Sequence, residues 1–135
     1  MMSNVLLLIL GVLGQDGALL AKFLLNQGYQ VIGQSRQKLT ASRANLVSLG
    51  IDTKVKIVSL SLLDYEQVLS LLSSIRPAEI YNLSGQSSVG ASFSAPLETF
   101  SSQASVTLNL LEAIRAAKLA TKIFNAGSGD CYGET

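Results

Sequence analysis

The apolar run Val5-Leu6-Leu7-Leu8-Ile9-Leu10 leads directly into Gly11-Val12-Leu13-Gly14-Gln15-Asp16-Gly17, and that into Ala18-Leu19-Leu20-Ala21-Lys22-Phe23-Leu24-Leu25. The first run has the length and composition of a buried strand, and the last those of an apolar helix. Glycines at 11, 14 and 17 fall in the turn between them. A strand entering a helix through such a turn brings main-chain N–H groups and the positive end of a helix to one point. That is the way a dinucleotide diphosphate is held: glycines permit close backbone approach and the helix N-terminus favours the negative charge. Gly11, Gly14, Gln15, Asp16 and Gly17 are therefore the first candidates for cofactor binding. A carboxylate beside a diphosphate is repelled, so the Asp16 side chain is expected to point away, with capping of the helix one role open to it.

Strand and helix patterns alternate along the rest of the chain. The sequence predicts strands at Val5–Leu10, Tyr29–Gly33, Lys54–Ser59, Glu79–Leu83 and Thr121–Ala126. Helices are predicted over Gln15–Gln27 (ended by Gly28), Leu39–Leu49 (closed by Gly50), Tyr65–Ile75 and Pro96 to about Lys118. Asp64 stands at the N-cap position of the third, and Pro77 follows it. Proline at the start of the fourth is tolerated in a first turn. Short strands alternating with helices imply a parallel sheet covered on both faces. The expected fold is α/β, a Rossmann-like doubly wound sheet of five strands in the order 3-2-1-4-5. The segment Ser84–Ser94, rich in serine and glycine, is expected to be a loop at the carboxyl end of a strand. In the last helix, Leu97, Phe100, Ala104, Leu108 and Leu111 form one apolar line, and Val106, Leu110, Ala113, Ile114 and Ala117 another. A helix apolar on two sides must be covered on two sides. The sheet takes one, and the other needs another helix, from this chain or a second one; a homo-oligomer through the helix at 96–118 is expected.

Residues 1–135 make one domain by length, with 48% hydrophobic residues. Charged residues are 14%, against roughly 25% in an average soluble domain. The surface is under-charged, as when a partner or further chain covers part of it. A net charge of +1 gives no basic field for nucleic acid. The absence of histidine excludes His-based catalysis and His-ligated metal, and the single cysteine, Cys131, excludes an internal disulfide. No metal site is expected. Cys131 fits a small apolar filler better than a nucleophile, since no base accompanies it. The first apolar run is too short to span a membrane and lacks a basic stretch before it. The expected location is cytoplasmic, with no membrane partner.

Three further segments carry candidate chemistry. At the end of strand two stand Gln34-Ser35-Arg36, without the acid that binds an NAD ribose. Arg36 is the candidate to clamp the 2′-phosphate of NADP, and its bland alternative is a solvated surface arginine. After strand four, Asn82-Leu83-Ser84-Gly85-Gln86-Ser87-Ser88-Val89 can pass close beneath a cofactor. Leu83, Ser84, Gly85 and Ser87 are cofactor-binding candidates there, and an ordinary polar loop is the alternative. After strand five, Ser128 and Asp130 lie two apart at the edge where ligands bind in open α/β folds. A hydroxyl can hydrogen-bond a substrate oxygen and a carboxylate can remove a proton; a capped loop would use the same residue types.

The spacing G-x-x-G-x-x-G, rather than G-x-G-x-x-G, points to the short-chain dehydrogenases. The whole chain resembles the N-terminal part of the GDP-mannose 4,6-dehydratases, extended members of that group. The resemblance is carried by Gly-Val-Leu-Gly-Gln-Asp-Gly at 11–17, Phe23-Leu24-Leu25 with Gly28-Tyr29, and Arg76-Pro77-Ala78-Glu79-Ile80-Tyr81-Asn82-Leu83. Gln86-Ser87 with Val89, Leu110-Leu111-Glu112-Ala113-Ile114-Arg115 and Tyr132-Gly133 add to it. It implies NADP as an internal redox shuttle and the conversion of GDP-mannose, a nucleotide sugar, to GDP-4-keto-6-deoxymannose, a lyase reaction. It implies catalytic roles for Ser128, where the family has Thr, and for Asp130, where it has the Glu that takes the C5 proton. Asp is one methylene shorter, and a displacement of about an ångström can cost on the order of a hundredfold in rate. Gly129 replaces a family Ser, Ser61 an Asp near the adenine, and Ser84-Gly85 an Ala-Ala pair.

The family's Tyr-x-x-x-Lys pair is expected beyond residue 135, and the substrate domain further on. The resemblance thus implies the cofactor-binding half of such an enzyme, inactive alone. Two other readings stay open: a non-catalytic dinucleotide-binding or oligomerisation module, and an epimerase or reductase of the same superfamily acting on another nucleotide sugar.

Overall fold

The computed structural model describes residues 5–36, 43–84 and 96–125, with side chains in the last stretch described from Gln103 onward. The elements are β1 (Leu6–Leu10), α1 (Gln15–Asn26), β2 (Gln30–Ser35), α2 (Ala44–Ser48) and β3 (Lys56–Ser59). They are followed by α3 (Tyr65–Ile75), β4 (Glu79–Asn82), α4 (Pro96–Ala116) and β5 (Lys122–Asn125). The five strands form one parallel sheet in the order β3-β2-β1-β4-β5, as the sequence predicts.

β1 organises the core. Its alternate side chains go to opposite faces, and Leu7, Leu8, Ile9 and Leu10 are all buried. Leu7 and Ile9 pack with Ala18, Ala21 and Leu24 of α1, Val31 of β2 and Leu46 of α2. Leu8 and Leu10 pack on the other face with Val68 and Leu72 of α3, Ile80 of β4 and Leu110 and Ala113 of α4. A strand apolar on both sides is the signature of a central parallel strand. Burial of one such leucine is worth about 1.5–3 kcal/mol.

The helix boundaries follow from local chemistry. Asp64 caps α3, its carboxylate accepting from the Gln67 N–H at 3.3 Å and from Gln67 Nε2 at 2.9 Å. α1 ends one residue before Gln27, and Gly28 takes the left-handed conformation there, φ +94°. That is the geometry that closes a helix with glycine.

Several predicted boundaries move. β2 runs on through Gln34 and Ser35, both buried, because their polar groups find partners within the sheet edge. The helix predicted over Leu39–Leu49 is only Ala44–Ser48 among the described residues, and 39–42 lie outside them. Arg43 is not helical (φ −102°, ψ 23°); its guanidinium instead donates to the Asp52 carbonyl at 2.7 Å. Lys54 belongs to a turn, its N–H bonded to the Ile51 carbonyl at 2.9 Å, so β3 starts at Lys56. α4 stops at Ala116 rather than Lys118, where the backbone turns to φ +54°.

On α4, Val106, Leu110, Ala113 and Ile114 pack into the core, whereas Leu108 and Leu111 are 61% and 47% exposed. The side chains of Leu97 and Phe100 lie outside the described residues. Among the described residues no helix is long and apolar enough to cross a membrane. Substituting Leu72→Ala should lower the unfolding free energy by about 2–5 kcal/mol. Leu19→Ala, at a position 50% exposed, should change it by no more than about 0.5 kcal/mol. Urea denaturation of the two variants checks the pair.

Candidate functional site

The carboxyl ends of β1, β2 and β4 meet at one point, since Leu10 pairs with Gln34 on one side and Asn82 on the other. The glycine turn leaves the sheet there. Gly11 has φ +79°, which side chains rarely adopt, and its N–H donates to the Gln34 carbonyl at 2.9 Å and to Gln34 Oε1 at 3.1 Å. A Cβ on Gly11 would lie 2.9 Å from Ser84 Cα and 3.1 Å from the Leu83 carbonyl carbon. The exit of β4 therefore runs directly over the turn, anchored by the Leu83 N–H on the Leu10 carbonyl at 3.0 Å. Gly17 is needed for a different close approach. A Cβ there would sit 2.5 Å from the Gly11 carbonyl oxygen and 2.9 Å from Val12 Cα, so only glycine lets the first turn of α1 lie this close to the incoming chain.

Gly14 differs from both. It is the N-cap of α1 with φ −72° and ψ 167°, a conformation open to any residue. A Cβ on it would make one ordinary contact, 3.5 Å from the Gly11 oxygen. The packing of the chain does not require glycine at 14. Its Cβ would project into the exposed space at the start of α1, and no side chain caps that end. The amides of Gln15, Asp16 and Gly17 have no intrahelical acceptor. An open anion cradle with its donors in place is what a diphosphate fits. Asp16 corrects an expectation: it is exposed in the first turn, but its carboxylate does not cap the helix.

Two amide side chains brace the turn from below and from the side. Gln34 is 2% exposed; its Nε2 donates to the Leu60 carbonyl at 2.9 Å while its Oε1 accepts from Gly11. Asn45, at the start of α2, donates from Nδ2 to the Leu13 carbonyl at 2.9 Å. Asn82 organises the β4 exit. Its Oδ1 accepts from Ser84 N–H at 3.2 Å and Ser84 Oγ at 2.6 Å, and its Nδ2 donates to Asn125 Oδ1 at 2.7 Å across the pair β4–β5. The sequence reading assigned none of these amides a role. The available signal was a polar amide at the carboxyl end of a strand, at Gln34 and again at Asn82.

The predicted site residues divide as follows. Gly11, Gly14, Gln15, Asp16, Gly17, Leu83 and Ser84 are brought together around the turn. Arg36 is exposed, two residues past the Gln34–Leu10 pair, and among the described residues no partner holds its guanidinium. Gly85, Ser87, Ser128 and Asp130 lie outside the described residues, as does Cys131. β5, which leads to Ser128 and Asp130, ends at Asn125 opposite Asn82. Tyr81 stacks on Phe124 at 4.9 Å, and its hydroxyl donates to the Glu79 carboxylate at 3.2 Å. Burial first, and then the Glu79 charge, holds its pKa above the usual 10, so it stays a neutral phenol within the strand pair.

A doubly wound parallel sheet with a glycine turn at its switch point is the architecture of dinucleotide-binding domains. The chain belongs to the GDP-mannose 4,6-dehydratase family, whose sequence model, described as GDP-mannose 4,6 dehydratase, matches residues 8–135. It is 38% identical to a GDP-mannose 4,6-dehydratase of Vibrio cholerae over 133 residues, 93% of this chain and 36% of that enzyme. It is 35% identical to GDP-mannose 4,6 dehydratase 1 of Arabidopsis thaliana over 138 residues, 95% of this chain and 38% of the relative. The chain thus spans little more than a third of the length of these relatives. Among solved structures, UDP-glucose 4-epimerase of Thermotoga maritima, in complex with UDP-glucose, superposes with TM-score 0.79 and 24% identity over 97% of this chain and 40% of the other. The dTDP-glucose 4,6-dehydratase of Streptomyces venezuelae, with NAD bound, gives TM-score 0.70 and 21% identity over 86% of this chain and 37% of the other. These two likenesses establish the fold.

Gly14 and Gly17 should separate in a substitution experiment. Gly17→Ala forces a clash with backbone and should cost about 1–3 kcal/mol of stability. Gly14→Ala should cost less than about 1 kcal/mol, the loss of an N-cap preference alone. Thermal or urea unfolding of the free protein checks both.

Proposed function

We propose that the chain is the cofactor-binding domain of a nucleotide-sugar dehydratase that takes GDP-mannose to GDP-4-keto-6-deoxymannose, with NADP as its dinucleotide. The observation that carries this reading is the cradle at Gly14: a glycine the backbone does not need, at an uncapped helix start, in a chain of this family. The amides of Gln15, Asp16 and Gly17 would bind the diphosphate, with Gly11 and Gly17 holding the turn in register. Arg36 would pair with the 2′-phosphate, where no acid at the end of β2 competes for a ribose hydroxyl. Leu83, Ser84, Gly85 and Ser87 would line the nicotinamide side. NADP bound there supplies the hydride acceptor and donor that the reaction needs.

Ser128 would hydrogen-bond the sugar oxygen at C4, and Asp130 would take the proton from C5 as water leaves across C5–C6. Both follow from their family positions after β5. We place the protein in the cytoplasm, with residues 1–135 forming one domain. Wild type should bind NADP more tightly than NAD. Arg36→Ala should weaken NADP by roughly 1.5–3 kcal/mol, about 10- to 150-fold, and leave NAD unchanged. Isothermal titration of both nucleotides against both proteins tests this; equal NADP affinities remove Arg36 from the site, and no binding by wild type overturns the function.

A second element of the proposal is a homo-oligomer formed through α4, supported by the exposed Leu108 and Leu111 on one side of that helix. Sedimentation at micromolar concentration should show a species larger than the monomer. Leu108→Asp should shift it to monomer without loss of helical circular dichroism, whereas a monomeric wild type excludes the interface.

A further inference from the structure

Gln34 carries a buried amide whose hydrogen bonds do more than satisfy themselves. It lies on the same face of β2 as Ile32, at the rim of the core shared by α3 and α4, where an apolar side chain would be the ordinary choice. Gly11 N–H already has an acceptor in the Gln34 backbone carbonyl at 2.9 Å, so the second bond to Oε1 at 3.1 Å is not needed to rescue an orphaned donor. The net stability gained from such bonds is modest, because water supplies the same partners to the unfolded chain. What the side chain adds is a fixed distance. Through one amide it links the turn after β1 to the Leu60 carbonyl at the exit of β3, across the intervening strand. The exits of β1, β2 and β3 together form the floor of one mononucleotide half of such a fold.

We propose that Gln34 is a positioning residue for the dinucleotide, setting the spacing between the glycine turn that takes the diphosphate and the segment from Leu60 that borders the adenosine half. The inference rests on the dinucleotide site described under Proposed function. Other braces support it from different directions: Asn45 fixes Leu13, and Asn109 Nδ2 fixes the Leu62 carbonyl at 2.9 Å, so both walls are held, and among the described side-chain hydrogen bonds only those of Gln34 reach both. Removing the amide leaves the backbone ladder in place, with Gly11 and Val12 on the Gln34 carbonyl and Leu60 on the Ser35 carbonyl, but takes away the side-chain link that sets how the two exits sit above it. A ligand spanning both then loses affinity.

The experiment measures NADP and ADP dissociation constants by isothermal titration for wild type, Gln34→Leu and Gln34→Met, at a temperature where all are folded by circular dichroism. Met keeps the length of the side chain without its hydrogen bonds. Val68→Ala, buried among α3 contacts away from the turn, serves as the control that loses melting temperature only. Both Gln34 variants should bind NADP and ADP about tenfold more weakly, and Val68→Ala should bind within about twofold of wild type. Wild-type affinity in a folded Gln34 variant, or equal weakening in Val68→Ala, overturns the positioning role. If neither Gln34 variant folds, the amide serves the core alone and the proposal is likewise overturned. Failure of wild type to bind any nucleotide is a distinct result that removes the site itself.

Discussion

The backbone passes through Gly11 in a confined space, and the elements around it depend on that passage. Its amide faces two acceptors on Gln34 while its α-carbon lies beneath the chain leaving β4. A left-handed φ of +79° sends the chain from β1 into α1 in this space, and a side chain would both strain that angle and strike Ser84. The start of α1, the exit of β4 and the end of β2 are all located by this crossing. The same crossing places uncapped helix amides at the switch point of the sheet, where the order reverses from β1 to β4.

The core serves that placement. Leu7 and Ile9 bind α1 and α2 to one face of the sheet, and Leu8 and Leu10 bind α3 and α4 to the other. Because β1 is fixed on both faces, its carboxyl end has little freedom, and the turn inherits that rigidity. The polar groups at the edge are then satisfied by short-range amide bonds, from Gln34, Asn45 and Asn82, and no buried side-chain polar atom among the described residues lacks a partner. A buried network of this kind holds a single geometry when every member is paired.

Much of this arrangement was legible in the residues. The period of the apolar positions located α3 to its terminal residues, because Asp64 and Pro77 mark its ends by independent chemistry. The strand order and the glycine turn were legible for the same reason, each being encoded locally. α2 was not, since the apolar spacing from Leu39 continues through Arg43, whose guanidinium is drawn off to the Asp52 carbonyl. The extension of β2 was hidden because the Gln34 amide finds its partners, Gly11 and Leu60, 23 and 26 residues away. The Asn82–Asn125 bond was hidden likewise, its two halves lying 43 residues apart. Asp16 was misjudged because a carboxylate at a helix start suggests a cap, whereas it stands inside the first turn rather than at Gly14.

The stack of Tyr81 on Phe124 has a consequence for handling the protein. It occupies the outer pair of strands, and half of the Phe124 side chain remains in water. Among the described strands β5 forms one margin of the sheet, is short and opens with Lys122, and the opposite margin, β3, opens with Lys56. Cationic gatekeepers and brief length are the ordinary defences against edge-to-edge aggregation. Among the described residues β5 alone combines a marginal place in the sheet with an exposed aromatic ring, which makes it the margin from which unwanted ribbon growth of these strands would begin in concentrated solution.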